Sequence, residues 1–275
     1  MMKITCLVEN TAMGQNLRGE HGLSFFIEHE NESLIFDCGQ SGLFLDNAKI
    51  MGICAETAGN IVLSHGHYDH TGGLKDAIGN SGKKTIYAHP EIFRERYTSS
   101  SNCMQDARAV GIPFKREFIE NNYNLKLSKE SVEIFPGVFF TGEIPRTNSF
   151  EDTGGKFYLD KSMMVKDSIP DDCSLLINSE SGPVVILGCC HSGIINTLDY
   201  ISEKFNIQSY SLIAGGMHLL NASEDRMEKT VRHLKKFDIK MFCPGHCTGW
   251  KALCRLSSEF PEKVSPIHTG WTWTA

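Results

Sequence analysis

The sequence predicts an α/β fold in which helices cover the outer faces of two stacked sheets. Three observations lead there. Short apolar runs rich in β-branched and aromatic residues recur in both halves, and helix-period stripes fall between them. The 275 residues are 41% hydrophobic and allow one large domain or two modest ones, either long enough to bury a full core; a single domain spanning residues 1–275 is the expectation. Disorder is excluded by that apolar content, and a collagen-like class by 25 Gly and 9 Pro that follow no period.

Strands are expected at Lys3–Val8, Leu23–Glu28, Ser33–Asp37, Asn60–Ser64 and Lys84–Ala88, each bounded by Gly, Asn or charged turns. Leu43, Phe44, Ala48 and Met51 place a short helix between them. Residues 91–131, with the polar runs Tyr97–Gln105 and Glu117–Asn124, hold neither period and read as an irregular or partly helical insertion that caps a site. Strands resume at Val132–Phe135, Val138–Thr141, Cys173–Asn178 and Pro183–Gly188. Ile194, Ile195, Leu198, Ile201 and Phe205 form one helical stripe, followed by a strand at Tyr210–Ala214. Ser223 then opens a helix as its N-cap, with Glu224 and Asp225 in the first turn and Met227, Val231 and Leu234 on the buried face. A strand at Ile239–Cys243 and a helix from about Thr248 complete the order.

The formal charge of −6 offers no general field for polyanions, and basic pairs such as Lys83-Lys84 and Lys235-Lys236 are isolated, so no nucleic-acid partner is expected. No run approaches the roughly 18 apolar residues that span a bilayer. The polar Glu9 and Asn10 also follow Met1–Val8 too soon for a signal peptide. A cytoplasmic protein without a membrane partner is the expectation. Of the ten cysteines, Cys6, Cys38, Cys173, Cys189, Cys190 and Cys243 lie inside apolar runs, which reads as reduced core thiols rather than a disulfide framework.

The chemistry concentrates in Ser64-His65-Gly66-His67-Tyr68-Asp69-His70-Thr71-Gly72-Gly73, placed directly after the buried run Asn60-Ile61-Val62-Leu63. Imidazole and carboxylate are the donors that borderline divalent metals accept. His65 and His67 stand two apart, so on a continuing strand they point the same way, as two ligands of one ion should. Asp69 and His70 lie past the turn, within reach of a second ion close by.

This His-x-His-x-Asp-His block after a strand resembles the signature of the metallo-β-lactamase superfamily, and further elements follow in order along the whole chain. His191 in Gly188-Cys189-Cys190-His191 matches the third metal motif, and His246 in Pro244-Gly245-His246-Cys247 the last. Asp37 in Asp37-Cys38-Gly39 matches an early supporting residue. The resemblance implies a four-layer αββα sandwich of the metallo-β-lactamase type. It also implies two divalent ions, zinc first with iron or manganese as alternatives, one held by His65, His67 and His191 and the other by Asp69, His70 and His246. Members typically place a bridging Asp between the last two motifs. Here that stretch reads Gly215-Gly216-Met217-His218-Leu219, which makes His218 a terminal ligand or a substrate- and proton-handling group. The segments Glu20–Ser24, Phe36–Ser41, Gly216–Leu219 and His246–Gly249 together resemble the branch of 7,8-dihydropterin-6-methyl-4-(β-D-ribofuranosyl)-aminobenzene-5′-phosphate synthases.

A dinuclear site of this kind activates water and polarises a carbonyl or phosphoryl oxygen, so the leading expectation is hydrolysis of an ester, phosphoester, thioester or lactone of a small molecule, with Asp69 and His218 as the catalytic groups. The branch implies instead a pterin-like substrate and transfer of a dihydropterin-methyl group with release of pyrophosphate. A third reading, a diiron redox protein, is disfavoured by the lack of Cys-x-x-Cys runs and by His67, where diiron members carry Glu. His21, His89, Glu143, Arg146 and Asn148 read first as surface groups and second as pocket groups; His29, His233 and His268 read as surface or structural histidines, and Cys247 as a buried inert thiol.

Overall fold

The computed structural model describes residues 2–78, 83–99 and 104–275; part of the polar run at 97–105 lies outside them. The first third comprises β1 (Met2–Val8), β2 (Ser24–His29), β3 (Glu32–Phe36), α1 (Leu43–Ile50), β4 (Asn60–Val62), α2 (Tyr68–Thr71) and β5 (Thr85–Ala88). Next come β6 (Tyr97–Thr98), β7 (Arg108–Ala109), α3 (Arg116–Asn122), β8 (Asn124–Leu127), β9 (Val132–Phe135), β10 (Val138–Phe140) and β11 (Phe157–Tyr158). The remainder is β12 (Ser174–Ser179), β13 (Gly182–Leu187), α4 (Ile194–Phe205), β14 (Ser209–Tyr210), β15 (Leu212–Gly216), α5 (Glu224–Leu234), β16 (Asp238–Ile239), β17 (Phe242–Gly245), α6 (Trp250–Glu259) and β18 (Thr272–Thr274).

Two large sheets result, ordered β18-β1-β2-β3-β4-β5-β8 and β17-β15-β13-β12-β10-β9. Alternation along each strand decides what each face meets. Leu34 and Phe36 of β3 point at the facing sheet, where Leu175, Ile177 and Ile186 receive them. Ile35 between them points outward, to the layer of Phe44 and Ala48 from α1 and Ile119 from α3. On the far side α4, α5 and α6 lay Ile194, Leu198, Val231, Leu234, Ala252 and Leu256 on Val185, Leu187 and Ile213. The architecture is therefore an αββα sandwich. Ser223 caps α5, its hydroxyl oxygen accepting from the Arg226 N–H at 3.1 Å.

Both sheets open with an antiparallel hairpin and continue in parallel: β2–β3 leads to β4 and β5, and β12–β13 leads to β15 and β17. Parallel strands bring their carboxyl ends to one edge, which is where ligands of α/β sheets bind. Asp37 follows β3, the His-rich block follows β4, Cys189 and His191 follow β13, His218 follows β15, and His246 follows β17. Between residues 91 and 131 the chain forms α3 and β8, and it supplies β6 and β7 to a small sheet completed by β11. Two-residue strands are too short to show a period, so this sheet has no sequence signal.

Candidate metal centre

Each donor loop is held by groups distant in sequence. Asp37 accepts the Ser64 N–H at 2.8 Å and the Ser64 hydroxyl at 2.7 Å, fixing the chain as it leaves β4. Gly66 N–H donates to Asp171 at 2.8 Å, and a Cβ on Gly66 would lie 2.2 Å from the Ile92 carbonyl oxygen. His65 and His67 are thereby presented from either side of one clamped glycine. Gly66→Ala is expected to cost at least about 1–3 kcal/mol through overpacking against backbone, read as a lowered denaturation midpoint together with weaker zinc uptake. Asp172, the next residue after Asp171, accepts the Ser192 N–H at 2.7 Å and so fixes the loop that carries His191. Glu9 takes the His246 N–H at 2.6 Å.

Four of these loops use left-handed backbone at a residue other than glycine: Asp37 (φ 59°), Cys190 (φ 59°), His218 (φ 44°) and His246 (φ 53°). Such conformations cost roughly 1–3 kcal/mol each and persist where surrounding structure over-determines them, commonly at functional sites. Gly154 (φ 77°) leaves the room that His218 occupies: a Cβ there would lie 1.9 Å from the His218 ring.

Four of the imidazoles share one pattern of orientation. His65 Nδ1 lies 2.9 Å from the Ser64 hydroxyl oxygen, and His70 Nδ1 lies 2.6 Å from Asp37. His191 Nδ1 meets the Thr153 carbonyl at 2.8 Å, and His246 Nδ1 meets Asn10 Oδ1 at 2.9 Å. With each Nδ1–H donated to an oxygen, each Nε2 keeps its lone pair for the centre. His70 Nε2 and His246 Nε2 approach to 3.2 Å, and His65 Nε2 stands 2.9 Å from His67 Nδ1. His67 Nε2, His191 Nε2 and His218 Nδ1 are buried with no hydrogen-bond partner. Ring nitrogens packed this closely, with further buried ones left without a partner, fit a cation, so the residues present suit the divalent ions expected of such a site.

The charges agree. Burial pushes His65, His67 and His191 well below the ordinary imidazole value, so they stand neutral, as ligands must. Burial opposes the charge on Asp69 too, but His70 and then His246 outweigh it and hold the carboxyl well below the usual range. His70 is lifted to about 9 because Asp37 and Asp69 outweigh its burial, so positive charge is already favoured where an ion would sit.

Among the described residues ligand atoms fall into three groups, each within 4.8 Å: Asp69, His70, Cys189 and His246; His65, Cys189 and His191; Cys189, His218 and Cys247. Cys189 is therefore a wall of the centre, which corrects its reading as core filler; Cys6, Cys38, Cys173, Cys190 and Cys243 are buried free thiols. Cys247, read as inert, lines the cavity over the centre beside Cys189. That cavity holds about 340 Å³, with Tyr68, Arg108, Val110 and Phe157 as its outer wall, so β7 and β11 roof it.

Among the pocket candidates His21 alone reaches the centre, with Nε2 3.2 Å from Asp69 and its ring stacked on His246 at 5.3 Å. Arg146 donates to the His191 carbonyl from an adjoining cavity of about 420 Å³. His89 instead pairs with Glu143 at 3.3 Å, and Asn148 joins Glu151 and Asn196 at the start of α4. His233 bonds the Lys229 carbonyl on α5, and His268 the Thr269 carbonyl. His29 stacks on Phe135. Sequence reasoning missed Glu9, Asn10, Arg96, Asp171 and Asp172; only the adjacent acidic pair before an apolar strand was a usable signal.

Comparison with known proteins matches residues 17–246 to the model of the Metallo-beta-lactamase superfamily. The chain is similar to the 7,8-dihydropterin-6-methyl-4-(β-D-ribofuranosyl)-aminobenzene-5′-phosphate synthase of Methanocaldococcus jannaschii, 33% identical over 98% of this chain and 95% of that protein. An uncharacterised protein of the same organism is 34% identical over 94% of each chain. Among solved structures, Tm1679, described as a metal-dependent hydrolase of the β-lactamase superfamily, superposes with a TM-score of 0.86 at 28% identity, covering 100% of this chain and 99% of that one. Among the described residues no helix is long and apolar enough to cross a membrane.

Proposed function

Because the chain belongs to the metallo-β-lactamase superfamily, we propose that it is a zinc-dependent hydrolase of small esters, foremost phosphoesters, with lactones and thioesters as the other candidate classes. The observation that carries this is the clustering of ligand atoms from His65, Asp69, His70, Cys189, His191 and His246 beneath a cavity of about 340 Å³. His65, His67 and His191 would hold one ion, and Asp69, His70 and His246 the other. Such a pair lowers the pKa of water and draws charge from the substrate oxygen.

The chain's own groups do the rest. Asp69 is ionised and faces the cavity, which suits it to orient the attacking water and take its proton. His218 lines the same cavity beside Cys247 and would hold a proton at the departing oxygen. Arg108 supplies a cation at the cavity wall for an anionic substrate, and Phe157 and Tyr68 offer flat apolar surface that shuts out water. Two-cation chemistry and this wall both favour a phosphorylated or otherwise anionic molecule.

A second reading, dihydropterin-methyl transfer with release of pyrophosphate, is favoured by the 33% identity to the synthase. A single set of assays separates them. Zinc-loaded protein is expected to turn over a member of a panel of phosphodiesters, lactones and thioesters, to lose that activity on chelation, and to regain it with added zinc. If the panel stays inert while dihydropterin-methyl diphosphate and the ribosylaminobenzene phosphate yield pyrophosphate, the transferase reading replaces the hydrolase one.

A further inference from the structure

We propose that Cys189 is a metal ligand and that its sulfur is the shared anion between the two ions. This rests on the dinuclear reading above and extends it to a thiolate.

The geometry is specific to one sulfur. Cys189 Sγ belongs both to the group with Asp69, His70 and His246 and to the group with His65 and His191, and among the described residues no other donor belongs to both. It lies 3.2 Å from His70 Nε2, and the residue is only 3% exposed. Left-handed backbone at Cys190 turns the chain so that Cys189 and His191, two positions apart, both face the centre. The close approach of β15 preserves the arrangement: Gly216 N–H donates to the Gly188 carbonyl at 2.9 Å, and a Cβ on Gly216 would stand 3.3 Å from Cys189 Cα and 2.6 Å from Cys247 Sγ.

Chemistry favours the sulfur over its neighbours. An imidazole nitrogen has one lone pair and serves one cation, so His218 is unable to bridge through one nitrogen. A thiolate sulfur carries three lone pairs and can serve two. The imidazole donors are neutral as ligands, leaving Asp69 as the only anion among the histidine and carboxylate ligands, against four positive charges. On binding, the Cys189 thiol gives its proton to solvent and its sulfur adds a second negative charge between the ions. The bridging carboxylate absent from the His218 position is thus replaced from a different strand end.

Zinc-loaded wild-type protein and a Cys247→Ser variant, examined by X-ray absorption, test this. A bridging sulfur is seen by both ions, so each sample with two zinc ions per chain should show about one sulfur per zinc at about 2.3 Å in the Cys247→Ser protein, and at least that in wild type. Cys189→Ser should remove that shell and weaken binding of one zinc by at least about tenfold, the scale on which even outer partners of ligands act. Two zinc ions bound with about half a sulfur per zinc or none in the Cys247→Ser protein would overturn the bridge and leave the dinuclear reading standing. Wild-type protein that binds fewer than two zinc ions would remove both. The Cys247→Ser measurement keeps Cys189 intact, so the outcome does not depend on how well the Cys189 variant folds.

Discussion

Asp69→Asn should lower kcat of the zinc-loaded protein by about 10²–10⁴-fold, the range associated with loss of a positioned general base, while leaving the fold intact. The substitution keeps volume and an oxygen acceptor but removes the negative charge. That charge is the basis of the argument. Asp69 Oδ2 lies 3.2 Å from His21 Nε2 and 3.3 Å from His246 Nε2, at the floor of the cavity. His70 and His246 hold its carboxyl well below the usual range against the effect of burial, so it is ionised at any pH at which the protein would work. An acid limb near neutral pH in the rate profile would therefore belong to another group. Zinc content, circular dichroism and the denaturation midpoint of the variant separate a lost base from a lost ion or a lost fold. A variant that keeps both ions and full turnover would remove Asp69 from the chemistry.

Why some of this centre was legible in sequence and some was not follows from where its parts lie. His65, His67, Asp69 and His70 fall within six consecutive positions after a buried strand, so their pattern is local. His191 and His246 also sit just past apolar strands, and strand ends of a parallel sheet gather at one edge. Cys189 lacked any such mark, because a cysteine between Gly188 and Cys190 at the end of Val184–Leu187 looks like any core thiol. Its sulfur joins the ligand groups beside a left-handed residue, Cys190, and both are tertiary facts. Glu9 and Asn10 steady His246 from more than two hundred residues away, linking the loop after β1 to the loop after β17. The roof was hidden for another reason. Tyr97–Thr98, Arg108–Ala109 and Phe157–Tyr158 are each two residues long, and no period exists over two residues.

Arg96 is the other residue whose loss should be severe. Replacing it with Leu is expected to cost about 3–5 kcal/mol, as breaking a buried ion pair by removing one partner does. Arg96 is 1% exposed; its Nε donates to Asp167 at 2.7 Å and its Nη2 to Asp171, which in turn accepts the Gly66 N–H. Burial pushes Asp171 up to about 6, with Arg96 acting against that rise. Without the guanidinium the folded-state value climbs further. Asp171 binds its proton more tightly folded than unfolded in both proteins, so its contribution to stability falls as pH rises through this range. In the variant the fall continues to higher pH. The difference from wild type should therefore be largest near pH 8 and shrink below pH 6, as measured by denaturant unfolding of metal-free protein. Adding Asp171→Asn to Arg96→Leu removes one of the two stranded charges, the other being Asp167, yet keeps an acceptor for Gly66 N–H, and should restore part of the loss at pH 8. A deficit that is the same at pH 5.5 and pH 8, and that Asp171→Asn leaves untouched, would mean that Arg96 stabilises the loop by packing alone. The same pair of variants reports on the metal centre, since Gly66 stands between His65 and His67. If the charge pair sets the position of those ligands, zinc affinity should follow the unfolding data, falling in the single variant and recovering in the double.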